Sequence, residues 1–85
     1  MQSVAVTVTT TATLVVAADD KNRTVYLHNP SGVKCYLGGS TVTTLTGFHL
    51  DNGETLAVEL PLRETLYGIV AAGSHDVIVL RPDAD

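Results

Sequence analysis

Residues 23–38 read RTVYLHNPSGVKCYLG, and this stretch decides the fold. Over residues 23–28, apolar and polar side chains alternate with the period of two that is typical of a half-buried β-strand. Residues 29–32 are Asn-Pro-Ser-Gly, with proline second and glycine fourth, which is the pattern of a type I turn. The alternation then resumes over residues 33–37. The stretch therefore predicts two strands that are paired as a β-hairpin.

Similar β-prone runs lie on both sides of this stretch, separated by turn-forming residues at intervals of about 8–12 residues. Residues 41–48 are also β-prone but polar, and they are compatible with either a strand or an ordered loop. The pattern predicts an all-β fold of seven or eight short strands, arranged as a small antiparallel β-sandwich or barrel. The further predicted strands comprise residues 4–9, 12–17, 54–60, 66–71 and 76–81.

The composition fits one small soluble β domain over residues 1–85, without a linker or an internal repeat. Val, Ile and Thr supply 26 of the 85 residues, and such β-branched side chains favour strands. Five basic residues against nine acidic ones disfavour nucleic-acid binding, which depends on phosphate neutralisation. The longest apolar run, residues 14–18, is far shorter than the roughly 18 residues of a membrane helix. No secretory signal is recognisable, so synthesis in the cytoplasm is expected.

Few residues are candidates for chemistry, and their spacing favours structural roles. His28, His49 and His75 lie about 20 or more residues apart, unlike the closely spaced ligands of metal sites. Cys35 is the single cysteine, which excludes an internal disulfide, and it is predicted to be a buried thiol. The nucleophile elbow motif of hydrolases is absent from the sequence. We therefore predict no enzyme activity, no catalytic residue, no metal and no cofactor.

Two short segments keep a remote enzymatic alternative open. His49 with Asp51, and His75 with Asp76, look like fragments of acid–base pairs that would serve a small metal-dependent hydrolase. Both pairs occur at turns or strand ends, where polar residues are expected in any case. Residues 51–54, Asp-Asn-Gly-Glu, faintly resemble a calcium loop but lack its further spaced carboxylates, and we interpret them as a turn.

The N-terminal segment, residues 1–11, is the most informative candidate interface. It is β-prone and contains no charged side chain, glycine or proline, so as a free edge strand it would promote association. Pairing within its own sandwich is the favoured prediction, and pairing with a neighbouring subunit is the alternative. Val4, Val6 and Val8 share one face of this strand and are candidate interface residues.

The tyrosines offer a second candidate surface. Tyr26 and Tyr36 lie on either side of the predicted turn, so a cross-strand pair with a structural role is the favoured prediction. An exposed Tyr36 at a protein interface is the alternative, because tyrosine is enriched at such contacts. Residues 82–85 are predicted to be a polar tail.

Several of these segments resemble small virion proteins of tailed bacteriophages. In those proteins a basic residue begins a strand that ends in Asn, and a short turn leads to a strand closing in Tyr-Leu-Gly, which residues 23–38 resemble. Residues 50–56 are similar to their Leu-x-Pro-Gly-Glu turn and the strand that follows it, with Asn52 in place of the proline. Residues 66–71 and 77–80 are similar to their last hairpin.

The resemblance, which spans about residues 12–80, implies a non-enzymatic structural protein of the phage particle. It implies a head decoration or minor capsid protein that binds the outer surface of the major capsid protein, as trimers of itself, and reinforces the head. The virion surface is then its location, and neither nucleic acid nor a membrane is a partner. Val4, Val6 and Val8 are expected to be partly buried between copies or against the capsid. A tail or fibre-associated β-module for attachment is the alternative within the same class.

Overall fold

The computed structural model describes residues 2–30 and 33–81, which form eight β-strands joined by turns and loops. Residues 41–48 form an ordered loop that enters a strand only at its last residue. No helix that is long and apolar enough to cross a membrane occurs among the described residues. The strands are β1 (Gln2–Val8), β2 (Thr13–Val16), β3 (Arg23–His28), β4 (Cys35–Gly38), β5 (Phe48–Leu50), β6 (Thr55–Leu60), β7 (Leu66–Val70) and β8 (His75–Arg81).

The strands form two antiparallel four-stranded sheets that pack together as a sandwich, so the predicted fold class is confirmed. The first sheet has the order β1-β8-β3-β6, and the second has the order β2-β7-β4-β5. Directly after β1 the chain reaches the second sheet. There the Val70 N–H of β7 donates to the Thr9 carbonyl at 3.0 Å. A shift of the bulge type in β2 places both Val15 and Val16 in the core, although successive residues of a regular strand face opposite sides.

The core lies between the two sheets and follows the alternation of the sequence. Val25 and Leu27 of β3 are fully buried, whereas Tyr26 between them is on the outer face. Leu56 and Val58 of β6 are partly buried and pack against this core. Because burying one such side chain contributes about 1.5–3 kcal/mol, the cluster is the main source of stability. Its members are Val8, Val15, Val16, Val25, Leu27, Cys35, Leu37, Leu50, Leu60, Leu66, Val70, Val77 and Val79.

β3 and β4 are not a hairpin, so the pairing predicted for residues 23–38 is wrong. β3 lies between β8 and β6 in the first sheet, whereas β4 lies between β7 and β5 in the second. The connection is an arch between the sheets, which brings the apolar faces of both strands into one core. Residues 31 and 32 of the predicted turn, and the predicted tail at residues 82–85, lie outside the described residues.

Two related predictions are wrong for the same reason. β7 and β8 resemble a terminal hairpin in sequence, but they lie in different sheets, and residues 71–74 cross between them. Tyr26 and Tyr36 lie on strands of different sheets and form no cross-strand pair. Alternation identifies the buried face of a strand, but it does not identify the strand that lies beside it.

Asn29 is a buried polar residue that holds the arch between β3 and β4 in place. Its Nδ2 donates to the Val33 carbonyl at 2.6 Å and to the Leu50 carbonyl at 3.0 Å. Its backbone N–H donates to the Glu54 carbonyl at 3.1 Å, and its own carbonyl accepts from the Gly53 N–H at 2.7 Å. One residue thus connects three segments of the chain, and its buried amide nitrogen has the hydrogen bonds that burial demands.

Candidate interaction surfaces

β1 pairs with β8 along its whole length, which confirms the favoured prediction that the N-terminal strand pairs within its own sandwich. Val4 lies opposite Val79, and Val6 lies opposite Val77. Val8 is fully buried in the core, whereas Val4 and Val6 are half-buried. The valine face of β1 therefore contributes to the chain's own core, and contact of these residues with a neighbouring subunit or a capsid stays a prediction.

The other side of β1 is an edge of the first sheet, and it differs from the other three sheet edges. β5 has three residues, and β2 has four residues and a bulge. β6 carries Glu59 and is followed by Pro61, and both residue types discourage strand addition. β1 has seven residues, a regular register and no charged side chain, proline or glycine. Among the described strands, β1 is therefore the edge with the fewest obstacles to pairing.

The outer face of the first sheet carries a patch that the sequence analysis did not identify. Tyr26 lies between Leu80 and Ala57, and Ile78 lies opposite Ala5, so the patch crosses all four strands. Tyr26 is 42% exposed and Leu80 is 37% exposed. We call the five residues of this patch the outer apolar band: Ala5, Tyr26, Ala57, Ile78 and Leu80. A contiguous patch of exposed apolar side chains is typical of an interaction surface.

Polar pairs border the outer apolar band. Thr7 Oγ1 donates to Asp76 Oδ1 at 2.7 Å on one side of the band. His28 Nδ1 lies 3.0 Å from Thr55 Oγ1, and Glu59 is exposed further along the same face. An apolar centre with a polar rim is the general arrangement of protein–protein interfaces.

The outer face of the second sheet is partly covered by the chain's own loop, residues 39–47. A Cβ atom added to Gly47 would lie 2.5 Å from the Tyr36 Cβ, so the loop packs directly on this tyrosine. Val42 is buried over Gly38, where an added Cβ would lie 2.9 Å from the Val42 Cγ2. Tyr36 is half-buried as a result, and only part of its ring is available to a partner.

The structure brings one of the two predicted acid–base pairs together. His49 Nδ1 lies 3.2 Å from Asp51 Oδ1, and Lys34 Nζ lies 3.7 Å from the same oxygen. All three side chains are about half exposed, so the cluster is a solvated surface arrangement. His75 and Asp76 are consecutive residues of β8 and point to opposite faces. Among the described residues, no group of three or more His, Cys, Asp and Glu side chains is placed to hold a metal ion.

Residues 51–54 form a closed turn, as interpreted from the sequence. The Asp51 N–H donates to Glu54 Oε1 at 2.9 Å, and the Glu54 N–H donates to the Asp51 carbonyl at 3.0 Å. Gly53 has a φ of 76°, which glycine adopts without the steric cost of a Cβ atom. The Glu54 carboxylate therefore caps the turn from within.

A cleft of about 400 Å³ lies beside Arg23 at one end of the first sheet. Arg23 Nη2 donates to the Glu64 carbonyl at 3.4 Å, and the buried Nε has no hydrogen-bond partner. Glu59 lines the same cleft, so its carboxylate opposes the binding of an anion next to the guanidinium. The cleft therefore offers no clear ligand chemistry.

Cys35 is buried in the core, as predicted, and burial raises the pKa of its thiol. Backbone hydrogen bonds involving Ile69 and Tyr36 act in the opposite direction but do not cancel the rise. Since the pKa in the folded state is higher than in the unfolded state, the unfolded chain loses this proton first as the pH rises. The thiol therefore supports the folded state below the unfolded-state pKa and loses that contribution above it.

We expect the free energy of unfolding to fall with pH above about 8.5, by up to about 1.4 kcal/mol per pH unit. The Cys35→Ala variant lacks the titrating group and is expected to show a shallower fall over the same range. Urea unfolding at pH 8, 9 and 10 under reducing conditions measures both slopes. Identical slopes for the two proteins would contradict the assignment of this pH dependence to Cys35.

No protein-family model matches the chain, and comparisons with curated proteins and with solved structures return no significant match. The structure defines its class as a small antiparallel β-sandwich.

Proposed function

We propose that this chain is a structural protein of a tailed-phage particle that binds the outer surface of the major capsid protein and decorates or stabilises the head. The observation that carries the proposal is the outer apolar band, which crosses all four strands of the first sheet. The phage context is supported by the resemblance of about residues 12–80 to small virion proteins. The proposed location is the capsid surface, after synthesis in the host cytoplasm.

The outer apolar band is suited to docking on a large, flat partner. Its residues lie on strands whose pairing fixes the backbone, so binding orders only side chains and costs little backbone entropy. Tyr26 is at the centre of the band, and a tyrosine at the centre of an interface is a common source of binding energy. The polar rim remains hydrated when the centre is covered.

A repeating surface also compensates for the small size of the domain. A chain of 85 residues has a core of modest size, and binding to a partner stabilises the folded state by mass action. Contacts between neighbouring copies on a lattice add avidity without a large interface at any single contact. Only 16% of the residues in the chain are charged, and this favours such contacts, because fewer charges lose hydration.

In a phage that encodes this chain, Leu80→Asp is expected to lower the number of copies per head by about tenfold or more. The substitution places a charge next to Tyr26 at the centre of the band, and burying an unpaired carboxylate at the interface is unfavourable. Cryo-microscopy of purified particles, with quantification of the protein on gels, measures the occupancy. Leu14→Asp is the matched control, because Leu14 is 43% exposed and belongs to the second sheet. It is expected to leave the occupancy unchanged.

Four other results would contradict the proposal. Absence of the chain from purified particles would exclude a structural role in the virion, and density confined to the tail would favour the attachment module. Loss of occupancy with Leu14→Asp but not with Leu80→Asp would show that the band is not the docking surface. Stoichiometric zinc or calcium in the purified protein would support the metal-dependent hydrolase that would use His49 and Asp51.

A further inference from the structure

The free side of β1 presents unpaired backbone groups. In an antiparallel sheet, the N–H and C=O groups of alternate residues point to opposite neighbours, so half of those in β1 face β8 and the other half face outward. No described strand lies on that outward side. An edge of seven residues without charge, proline or bulge is a template for a further strand.

We infer that the occupant of this edge is a second copy of β1, paired antiparallel about a two-fold axis at Ala5. In this register Ala5 lies opposite its own copy, Val4 lies opposite Val6, and Ser3 lies opposite Thr7. Between Ser3 and Thr7 like therefore meets like on both faces, since Val4 and Val6 are half-buried on the inner side, and the small and hydroxyl residues are exposed on the outer side. Only the terminal pair, Gln2 opposite Val8, is unlike. The pairing works whichever alternate set of backbone groups faces outward, because the register matches odd residues with odd and even with even.

The absence of charge on β1 favours a copy of itself over a strand of opposite charge. No residue from Gln2 to Val8 carries a charged side chain, so no electrostatic term directs a charged partner strand to this edge. The register also brings no like charges together within the strand pair. An isologous contact of this kind closes at two copies, which differs from the trimer that the phage resemblance implies.

The dimer would enlarge the surface on which the proposed function depends. Pairing of β1 with its copy joins the two first sheets into one sheet of eight strands, and Ala5 of each outer apolar band lies at the two-fold axis. One particle surface would then meet two bands at once, which increases avidity. The inference extends the proposed function by specifying how two copies associate. Its test uses the isolated chain and does not depend on a virion.

Light scattering of the purified chain is expected to give twice the monomer mass of 8.9 kDa at high micromolar concentration. Ala5→Lys is expected to raise the dimer dissociation constant by about tenfold or more, because two lysines then lie opposite each other at the axis. Ala5 is exposed, so the monomer fold is retained, which circular dichroism checks. A mixture of Ala5→Lys and Ala5→Glu is expected to restore a mixed dimer, because the opposed charges then attract.

Ala57→Lys is the matched control, since Ala57 is exposed on the same outer face but on β6, at the opposite edge of the sheet. This variant is expected to remain dimeric. Hydrogen exchange of the wild-type chain supplies an independent measurement, in which alternate β1 amides become protected as the concentration rises. A monomer at millimolar concentration, a trimer, or a dimer that Ala5→Lys leaves intact would each overturn the inference. Each of these results would leave a virion location open, and absence from virions would leave a dimer intact.

Discussion

The Asn29→Ala variant is expected to lose about 3–4 kcal/mol of unfolding free energy relative to the wild type. The substitution removes the Nδ2 donor from the Val33 and Leu50 carbonyls, which it reaches at 2.6 and 3.0 Å. Leu50 is fully buried, so its carbonyl has no ready access to water in place of the lost bond. An unsatisfied buried acceptor costs about 1–3 kcal/mol, and the small cavity left by the amide adds to this loss.

Asn22→Ala provides the matched control for this experiment. The Asn22 side chain also makes a hydrogen bond, since its Oδ1 accepts from the Leu62 N–H at 2.9 Å, but this residue is exposed. Water replaces the lost donor–acceptor contact there, so we expect a loss of only about 0.5–1 kcal/mol. Urea unfolding followed by circular dichroism measures both variants. Similar losses for the two would show that burial of Asn29 does not set its contribution.

Asn29 also shows where sequence reasoning reached its limit. The bounds predicted for the third strand, residues 23–28, agree with those of β3, because alternation of apolar and polar residues is a local property. The same residues gave no information on whether the chain turned back in the same sheet or crossed to the other one. Both arrangements need an apolar face and a polar turn, and only the bonds of Asn29 to distant residues distinguish the arch in the structure.

The candidate surfaces also differ in whether they depend on local sequence or on contacts between distant residues. The unprotected character of β1 was visible in the sequence, because it depends on the absence of charge, glycine and proline within one segment. The outer apolar band was not identified from the sequence, although residues 77–80 read Val-Ile-Val-Leu and are apolar at odd and even positions alike. What the sequence did not provide was the order of strands that places Tyr26 between Leu80 and Ala57. That order depends on contacts between residues that are far apart in the chain.

The Gly47→Ala variant is expected to lose about 2–3 kcal/mol of unfolding free energy, because its methyl group has no space. The added Cβ would lie 2.5 Å from the Tyr36 Cβ and 2.9 Å from the Thr43 carbonyl oxygen. Neither atom is the flexible end of a side chain, so the loop itself must move. Thr43 also holds the loop internally, since its carbonyl accepts from the Gly47 N–H at 2.8 Å, and a shift of the loop strains this bond as well.

Gly39→Ala is the control within the same loop, because an added Cβ there meets no atom within 4 Å, and the change is expected to stay within about 0.5 kcal/mol. Limited proteolysis adds a local measurement, since Leu45 is 95% exposed, and a displaced loop is expected to be cleaved faster at that residue. If Gly47→Ala is as stable and as resistant as Gly39→Ala, the loop does not hold Tyr36 in place. If Gly47→Ala is less stable, the whole Tyr36 ring becomes available to a partner only when residues 39–47 lift from the second sheet. Binding there then carries the free-energy cost of that opening, whereas the outer apolar band is exposed without it.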